Sequence, residues 1–574
     1  MFRQNAQHLQ QHLFSDLDGL SEKQRARLEE SWASTFYREF FCRLDETAFA
    51  VLYSDEASRP NIPVNVLVGL EALKSGFGWS DAEMYDAFIF DLQVRYALGY
   101  RNLGDGEFEL RTTYNFRQRL SDHMQTTGVN LLDQAFAKIT DEQIQSFQLK
   151  TGRLRMDSTQ IASNIRQMTR LQLLVEVLQR VQRMLSEAEQ TAYGEAFAPY
   201  LQGSSGQYVY HLKGEDTSSR FQQIGDLMLR LLTELASTYA EHPVYQMLQR
   251  VFAEQFTLTE GGVQAKPGSE ISASSLRSPD DPEASYRRKG QREYQGYVAN
   301  VTETCDADNP FQLVVQVQTA ANTTQDATLL AQALPQLKAR TGVHTLYNDA
   351  AYCGPTVDPV LREHQVEQIP TALVGKPPNR NKLSLTDFQV ETSPTGQPEH
   401  ITCPNGQSVP VETGRTAAHC LARFKHSHCE NCALQTSCPT TVRKRDLQRT
   451  LRFSTGQADV ALRRHRSVAY HQDGMNYRVA IEAAIGAIKR PFSNDQLPVR
   501  GRFRVGTMMF AAAVMLNIRR IQRFLAAAAK TERSASSSSN LNQRLASFLS
   551  ALAARFNRWL WPVNSLRTAA SLNC

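Results

Sequence analysis

The stretch Gln148-Leu149-Lys150-Thr151-Gly152-Arg153-Leu154-Arg155-Met156-Asp157-Ser158 changes the period of the chain. Before it, apolar residues recur every three to four positions, as on helices. Within it, Leu149, Leu154 and Met156 sit among polar residues, as on a half-buried strand, with Asp157 expected at the strand's end. Outward from this point the strand signal returns at Tyr294–Thr302 and Phe311–Thr319, across a Cys/Asp/Asn/Pro turn. A helix is predicted from Asp326 to Arg340, where Asp326 reads as the capping residue. Another strand is predicted over Val343–Asn348, running into Asp349, and a short one over Val366–Pro370. Strands mixed with helices predict an α/β core with a mixed sheet.

The rest of the chain arranges itself around that core. At 574 residues it is too long for one hydrophobic core. Residues 1–148 read as an all-α N-terminal unit with a capping box at Ser21–Gln24 and a helical run opening at Pro63. Several short helices with Gly-containing turns suit a DNA-binding module, or equally a structural bundle. The core is expected in two pieces, 149–165 and 291–374, separated by an amphipathic helical insertion over 166–290. Residues 375–455 are poor in regular signals and rich in cysteine. Helices return over 456–530. A Ser-rich linker at Ser534–Ser539 then leads to an amphipathic helix near Leu541–Leu560, within a last segment of 531–574.

Apolar residues make up 41% and charged residues 21%, which excludes a disordered chain. The N-terminus MFRQNAQHLQQHLFSDL lacks a signal-peptide core, and the apolar run Met508–Leu516 falls short of the ~20 residues a membrane span needs. A cytoplasmic protein is expected. The net charge is only +5, but Arg443–Arg523 holds 17 Lys and Arg against 5 Asp and Glu. Such a basic block points to a polyanion partner.

Five of the nine cysteines lie between Cys403 and Cys438. The spacing Cys429-x2-Cys432-x5-Cys438, preceded by Cys403 in a Cys-Pro-Asn-Gly turn, can close a tetrahedral structural zinc site. His419, Cys420, His426 and His428 are nearby substitutes for one ligand. Cys42, Cys305, Cys353 and Cys574 are scattered and carry no such pattern.

Three acids stand where a sheet can gather them. Asp157 and Asp349 follow strands, and Glu482 lies in the helical stretch Tyr477–Arg490. Arg478 is one turn before Glu482 and Lys489 seven residues after it, so all three share a face. Ile481, Ile485 and Ile488 form a separate stripe that can pack on a sheet. Carboxylates converging in this way suit Mg²⁺, and two such ions suit phosphodiester chemistry.

These stretches resemble the DDE transposases of bacterial insertion sequences. Arg155–Ile165 (RMDSTQIASNI) is similar to the first-aspartate motif, and Thr345–Pro355 (TLYNDAAYCGP) to the second. Tyr477–Arg490 is similar to the final helix, with Arg478, Glu482 and Lys489 at the family's R-x3-E-x6-K spacing. The family's tyrosine position holds Met475, and Tyr477 lies two residues later. The stretch Ile62–Leu120 resembles the family's helical N-terminal domain. The resemblance implies a ribonuclease H-like core, with Asp157, Asp349 and Glu482 holding two Mg²⁺ (or Mn²⁺) ions and a structural Zn²⁺ beside it. It implies an enzyme that binds the terminal inverted repeats of its element, cuts DNA and transfers the strand to target DNA. Arg478, Lys489 and Tyr477, with Arg500, Arg502 and Arg504, are the expected DNA or phosphate contacts. Synapsis of two ends implies a homodimer or higher assembly, near the bacterial nucleoid. A catalytically silent DNA-binding regulator and a ribonuclease H-like nuclease are the alternatives that the residues leave open.

Overall fold

Arg153–Ala162 form strand β1, which lies inside a six-stranded sheet. The computed structural model describes the chain except residues 11–13, 55, 57–59, 211, 213–216, 373–380, 394, 415, 417, 473–476 and 561–574, and describes 532–560 as backbone alone. The other strands of this sheet are β4 (Ser285–Lys289), β5 (Arg292–Thr304), β6 (Val314–Ala321), β7 (Thr345–Asn348) and β8 (Glu367–Pro370). The strands β2 (Phe256–Thr259) and β3 (Gly262–Ala265) form a separate hairpin. In the main sheet, β1 pairs antiparallel with β5, and β4 and β6 pair antiparallel with β5. On its other edge β1 pairs parallel with β7, and β7 with β8. The sheet is therefore mixed, as the sequence predicts.

Asp157 does not end its strand. The ladder with β5 continues from Asp157↔Val301 to Ala162↔Gly296, so the aspartate stands mid-strand. Polar Ser158, Thr159 and Gln160 hide this continuation in the sequence, because they alternate with nothing apolar until Ile161. Gly296 permits the close pairing: its φ is +147°, and a Cβ there would meet the Ile161 carbonyl oxygen at 2.3 Å.

Both faces of the sheet are covered. On one, the helix α7 (Asp326–Thr341) buries Leu330, Leu334 and Leu337 against Leu154, Met156 and Leu346. On the other lie α9 (Tyr477–Lys489) and the long α10 (Arg502–Leu560). The N-terminal helices α1 (Val64–Phe77), α2 (Arg111–Thr127) and α3 (Leu131–Ser146) share this second core. One continuous apolar cluster joins Leu70 and Phe136 to Val301, Ile485 and Met515. The N-terminal helices are thus built into the body of the core. Helix α1 is buried almost all round, and a Cβ on its Gly76 would lie 2.2 Å from Met515 Cγ of α10.

Residues 166–290 contain α4 (Arg170–Met184), α5 (Thr217–Glu234) and α6 (Pro243–Gln255), which enclose a separate core with Leu174, Leu178, Met228 and Leu248. The cysteine-rich segment is more regular than its sequence suggests. It forms β9 (Gln389–Thr392), β10 (Pro398–Thr402), β11 (Ser408–Thr413), β12 (His419–Phe424), β13 (Thr441–Val442) and β14 (Arg449–Ser454). These make a second sheet in the order β13-β14-β12-β11-β10-β9. Strands of two to six residues carry too few alternations to stand out between Gly and Pro turns. Helix α8 (Thr455–Gln472) then returns the chain to the main sheet. The expected linker at Ser534–Ser539 is helical backbone: α10 runs through it from the alanine-rich Ala526–Ala529 to Leu560, so no separate C-terminal helix begins at Leu541. Serine disfavours a helix by only about 0.5 kcal/mol per residue relative to alanine, too little to force a break. Cys574 lies outside the described residues.

Candidate active site

The parallel register between β1 and β7 pairs Arg155 with Tyr347. Two residues further along both strands come Asp157 and Asp349, at the same level and on the same face. Asp349 has just left β7 and caps the short turn Ala350–Tyr352, its Oδ1 accepting from the Ala351 amide at 2.8 Å. Helix α9 lies across this face because Ile481, Ile485 and Ile488 bury against the shared core. That packing leaves Arg478 and Glu482 half-exposed on the other side of the helix. Burial pushes the Asp157 carboxyl up to about 6, and the charges of Asp349 and Glu482 act in the same direction. The Ser158 amide, 2.8 Å from Asp157 Oδ1, and the Arg478 guanidinium oppose the shift. The three predicted acids are therefore close enough to feel one another.

Asp157 and Asp349 open on a narrow cleft that Arg155, Asn348, Thr371 and Arg478 also line, with Glu482 outside its lining. Cavities of about 740 and 410 Å³ lie elsewhere, among the N-terminal helices and between them and α10. A shallow acid cleft suits a polymer lying across the surface better than a small enclosed ligand.

Glu482 is half-exposed, and its Oε1 accepts from Arg478 Nε at 2.9 Å. Lys489 is taken up by the protein. Its ammonium donates to Thr159 Oγ1 at 3.1 Å and pairs with Asp495 at 2.9 Å, pinning the end of α9 to β1. Tyr477, expected to contact DNA, is 9% exposed and packs its ring on Tyr347 at 4.4 Å between centroids. The correction follows from helix geometry: Tyr477 lies one turn before Ile481, on the buried stripe. Met475 lies outside the described residues.

The three arginines after α9 are exposed. Arg500 donates to the Asn164 carbonyl at 2.6 Å and faces Asp280 at 3.5 Å, while Arg502 pairs with Glu283 at 3.6 Å. Arg504 has no polar partner among the described residues. Exposed ion pairs of this kind are worth at most about 1 kcal/mol, so a phosphate can displace the acid.

The cysteines Cys403, Cys429, Cys432 and Cys438 gather at one end of the second sheet. The Cys429 thiol is pushed up by burial and then by the other three. The Cys403–Gly406 turn presents the first, closed by Gly406 N–H to Cys403 O at 2.8 Å. His419 is held by Thr416, and Cys420 is buried within the sheet. Among the described residues, no group of three or more His, Cys, Asp or Glu side chains stands in a closed metal-holding arrangement, at the acids or at the thiols.

Several neighbours of the acids carried no sequence signal. Arg155 and Glu303 face each other across the β1–β5 ladder, joined at 2.7 Å, and Arg520 of α10 reaches the same carboxylate at 2.7 Å. Asn348 buries an amide nitrogen without a hydrogen-bond partner among the described residues, beside Asp349. Tyr352 donates to Asn300 at 2.7 Å beneath the cleft.

Residues 402–522 match the family model described as the transposase DDE domain. That segment is similar to the DDE domain of transposases. The matched segment includes the four clustered cysteines, Arg478, Glu482, Lys489 and the arginines 500, 502 and 504. Asp157 and Asp349 precede it in sequence and meet it through the fold. No curated protein and no solved structure matches the chain. Among the described residues no helix is long and apolar enough to cross a membrane.

Proposed function

We propose that this transposase binds the terminal inverted repeats of a bacterial insertion sequence, cuts DNA at the ends and joins the freed 3′-hydroxyls to target DNA. The observation that carries the reading is the placement of Asp157 on β1 and of Asp349 just past the end of the parallel strand β7, with Glu482 on the helix packed against this sheet. A four-stranded antiparallel part (β4, β5, β6 and β1) continued by the two parallel strands β7 and β8, with helices on both faces, supports the ribonuclease H-like description of the core.

The acids fit divalent cations. Asp157 is disfavoured as a carboxylate by burial and by two acid neighbours, so a cation among the three relieves it. Asp157, Asp349 and Glu482 would hold Mg²⁺ or Mn²⁺. The ions, when bound, activate the attacking oxygen and offset charge on the leaving one. Arg478 releases Glu482 for this and turns to a non-bridging phosphate oxygen. Lys489 positions α9 on β1 and so sets the distance between Glu482 and Asp157. Arg500, Arg502 and Arg504 continue the cationic path along the DNA backbone. The N-terminal helices contribute to end recognition, and two copies of the chain hold the two ends. The four thiols would hold a structural zinc ion at the edge of this sheet's own apolar core, which includes Phe388, Ile401, Phe424 and Phe453.

The test uses the full-length protein, Mg²⁺ and labelled DNA carrying the inverted repeats. End cleavage and joined products are expected from the wild type. Asp157→Ala and Asp349→Ala are expected to bind the same DNA without cutting it. Equal cutting by wild type and Asp157→Ala removes the acid assignment. Binding without cutting by the wild type leaves the silent regulator as the reading, and cutting without joining leaves the nuclease.

A further inference from the structure

The strands β4 and β5 continue past the sheet that holds them. The pairing of β1 with β5 stops at Ala162↔Gly296, and that of β6 with β5 stops at Tyr297↔Ala321. Beyond Gly296, β5 pairs only with β4 among the described residues, through Tyr286↔Gln295, Arg287↔Tyr294, Arg288↔Glu293 and Lys289↔Arg292. These pairs make a two-stranded ribbon that reaches about 13 Å beyond the sheet, at ~3.3 Å per residue. Its root is tied down. The Tyr286 amide donates to the Ala273 carbonyl at 2.9 Å, and Asn322 Nδ2 donates to the Tyr294 carbonyl at 3.2 Å. Every residue from Arg288 to Glu293 is exposed. In the turn Gly290-Gln291, Gly290 has a φ of +63°, and a Cβ there would meet nothing within 4 Å.

The charges of this ribbon work against its own folding. Lys289 stands directly opposite Arg292, and like charges across a strand pair repel. By strand alternation Arg287, Lys289, Arg292 and Tyr294 share one face, which holds no acid. The ribbon's acid, Glu293, lies on the other face opposite Arg288. Charge on an edge strand also keeps foreign edges from pairing, but mixed signs would do that without repulsion. The cations are loosely held. Arg292, 61% exposed, is 3.8 Å from Asp495, whose carboxylate already holds Lys489 at 2.9 Å. Arg288 reaches its own turn, at the Gly290 carbonyl 3.2 Å away and Gln291 Oε1 at 3.4 Å. Lys289 has no polar partner among the described residues. The Asp495 contact sets the ribbon beside the end of α9. Glu283, two residues before β4, pairs with Arg502 at 3.6 Å, so the ribbon's root adjoins the arginines that begin α10.

We propose that the β4–β5 ribbon is a DNA-gripping arm, which lies in the major groove of a duplex and sets Arg288, Lys289 and Arg292 on the flanking phosphates. The major groove admits a two-stranded ribbon. Bound phosphates remove the repulsion between Lys289 and Arg292, so the charges that weaken the free arm favour the bound one. Contacts of this kind are indifferent to sequence. The proposal rests on the DNA-binding part of the proposed function and does not depend on the acid site.

The test titrates a fluorescent DNA duplex of unrelated sequence with the full-length protein at several salt concentrations, read by anisotropy. Wild type is compared with the triple variant Arg288→Ala, Lys289→Ala, Arg292→Ala. Three lost phosphate contacts are expected to flatten the slope of log affinity against log salt by about 2.7. Between ~50 and ~200 mM salt the wild-type affinity is then expected to fall about fortyfold more than the variant's. The variant's melting temperature without DNA is expected to be unchanged or higher, since a repulsive pair is gone. Arg288→Lys with Arg292→Lys, which keeps the charge, is expected to keep the wild-type slope. A triple variant with the wild-type slope overturns the arm and leaves DNA binding in place. So does a triple variant that keeps its slope but loses self-association in sedimentation, which would make the ribbon a contact between copies. A wild type that does not bind the duplex at all overturns both the arm and the DNA-binding reading beneath it.

Discussion

Glu303 shows how much a single residue holds in place beside the acids. Its side chain is fully buried between Arg155, two residues before Asp157, and Arg520 of α10. Removing it leaves Arg155, 10% exposed, as an uncompensated buried charge. Glu303→Ala is expected to destabilise the protein by about 3–5 kcal/mol, read as a shift in the urea midpoint. A loss under about 1 kcal/mol would mean that water already reaches the triad. Asp133 in the first turn of α3 makes the opposite case. Burial raises its carboxyl to about 6, against an ordinary value near 3.9. Below about pH 3 the group is protonated in both states and costs nothing. As pH rises toward 6 the unfolded chain ionises first, so stability is lost across that window and stays lost above it. Two pH units correspond to about 2.7 kcal/mol, and the helix dipole offsets part of this. Asp133→Asn is therefore expected to raise stability by about 1–2 kcal/mol at about pH 7.5 and to leave it unchanged at about pH 3. Urea titrations at the two pH values check it, and an equal effect at both would refute the cause.

At the scale of elements, legibility followed the length of the pattern. Helix α9 could be read because thirteen residues carry both an apolar stripe and a polar face. The same stripe accounts for Tyr477, whose buried ring the motif spacing could not foretell. Asp349 was legible because its strand ends beside it. Asp157 was legible as an acid near a strand but not as a mid-strand residue, because the pairing that carries β1 past it belongs to β5, some 140 positions away in sequence. The same limit applies to Asp326: an acid opening a helix reads as a cap, but the cap position is Gln325 and Asp326 is buried. Gly76 poses a sharper question about elements. It lets α1 approach α10 until a Cβ would stand 2.2 Å from Met515 Cγ. Gly76→Ala gains helix propensity of about 1 kcal/mol but forces overpacking of about 1–3 kcal/mol. A net loss is expected, with Met515→Ala in the same chain recovering part of it. Chemical denaturation of the two single variants and the double variant measures the coupling, and strict additivity would show that the helices do not meet there.

Across the whole molecule, charge is divided as the chemistry requires. The basic stretch Arg443–Arg523 carries +12 while the rest of the chain sums to −7, and Glu482 lies inside that stretch. The arginines 500, 502 and 504 lie at the start of α10, on the surface, held only by exchangeable pairs. If DNA passes over them, each phosphate they neutralise releases counterions and adds about 0.9 to the steepness of log affinity against log salt. Arg502→Ala with Arg504→Ala is expected to flatten that slope by nearly 2 on inverted-repeat DNA. It is expected to weaken specific and unrelated DNA alike, since backbone contacts carry no sequence. Titration at four or more salt concentrations distinguishes this from a folding defect, which would lower affinity without changing the slope. The N-terminal helices predict a different signature. They share a core with the sheet that carries Asp157, so a sequence-reading role for them would appear as a weaker preference for the repeats at an unchanged slope. A variant such as Arg111→Ala, exposed at the start of α2, puts that to the test without disturbing the common core. An unchanged preference there would move end recognition away from that end of α2.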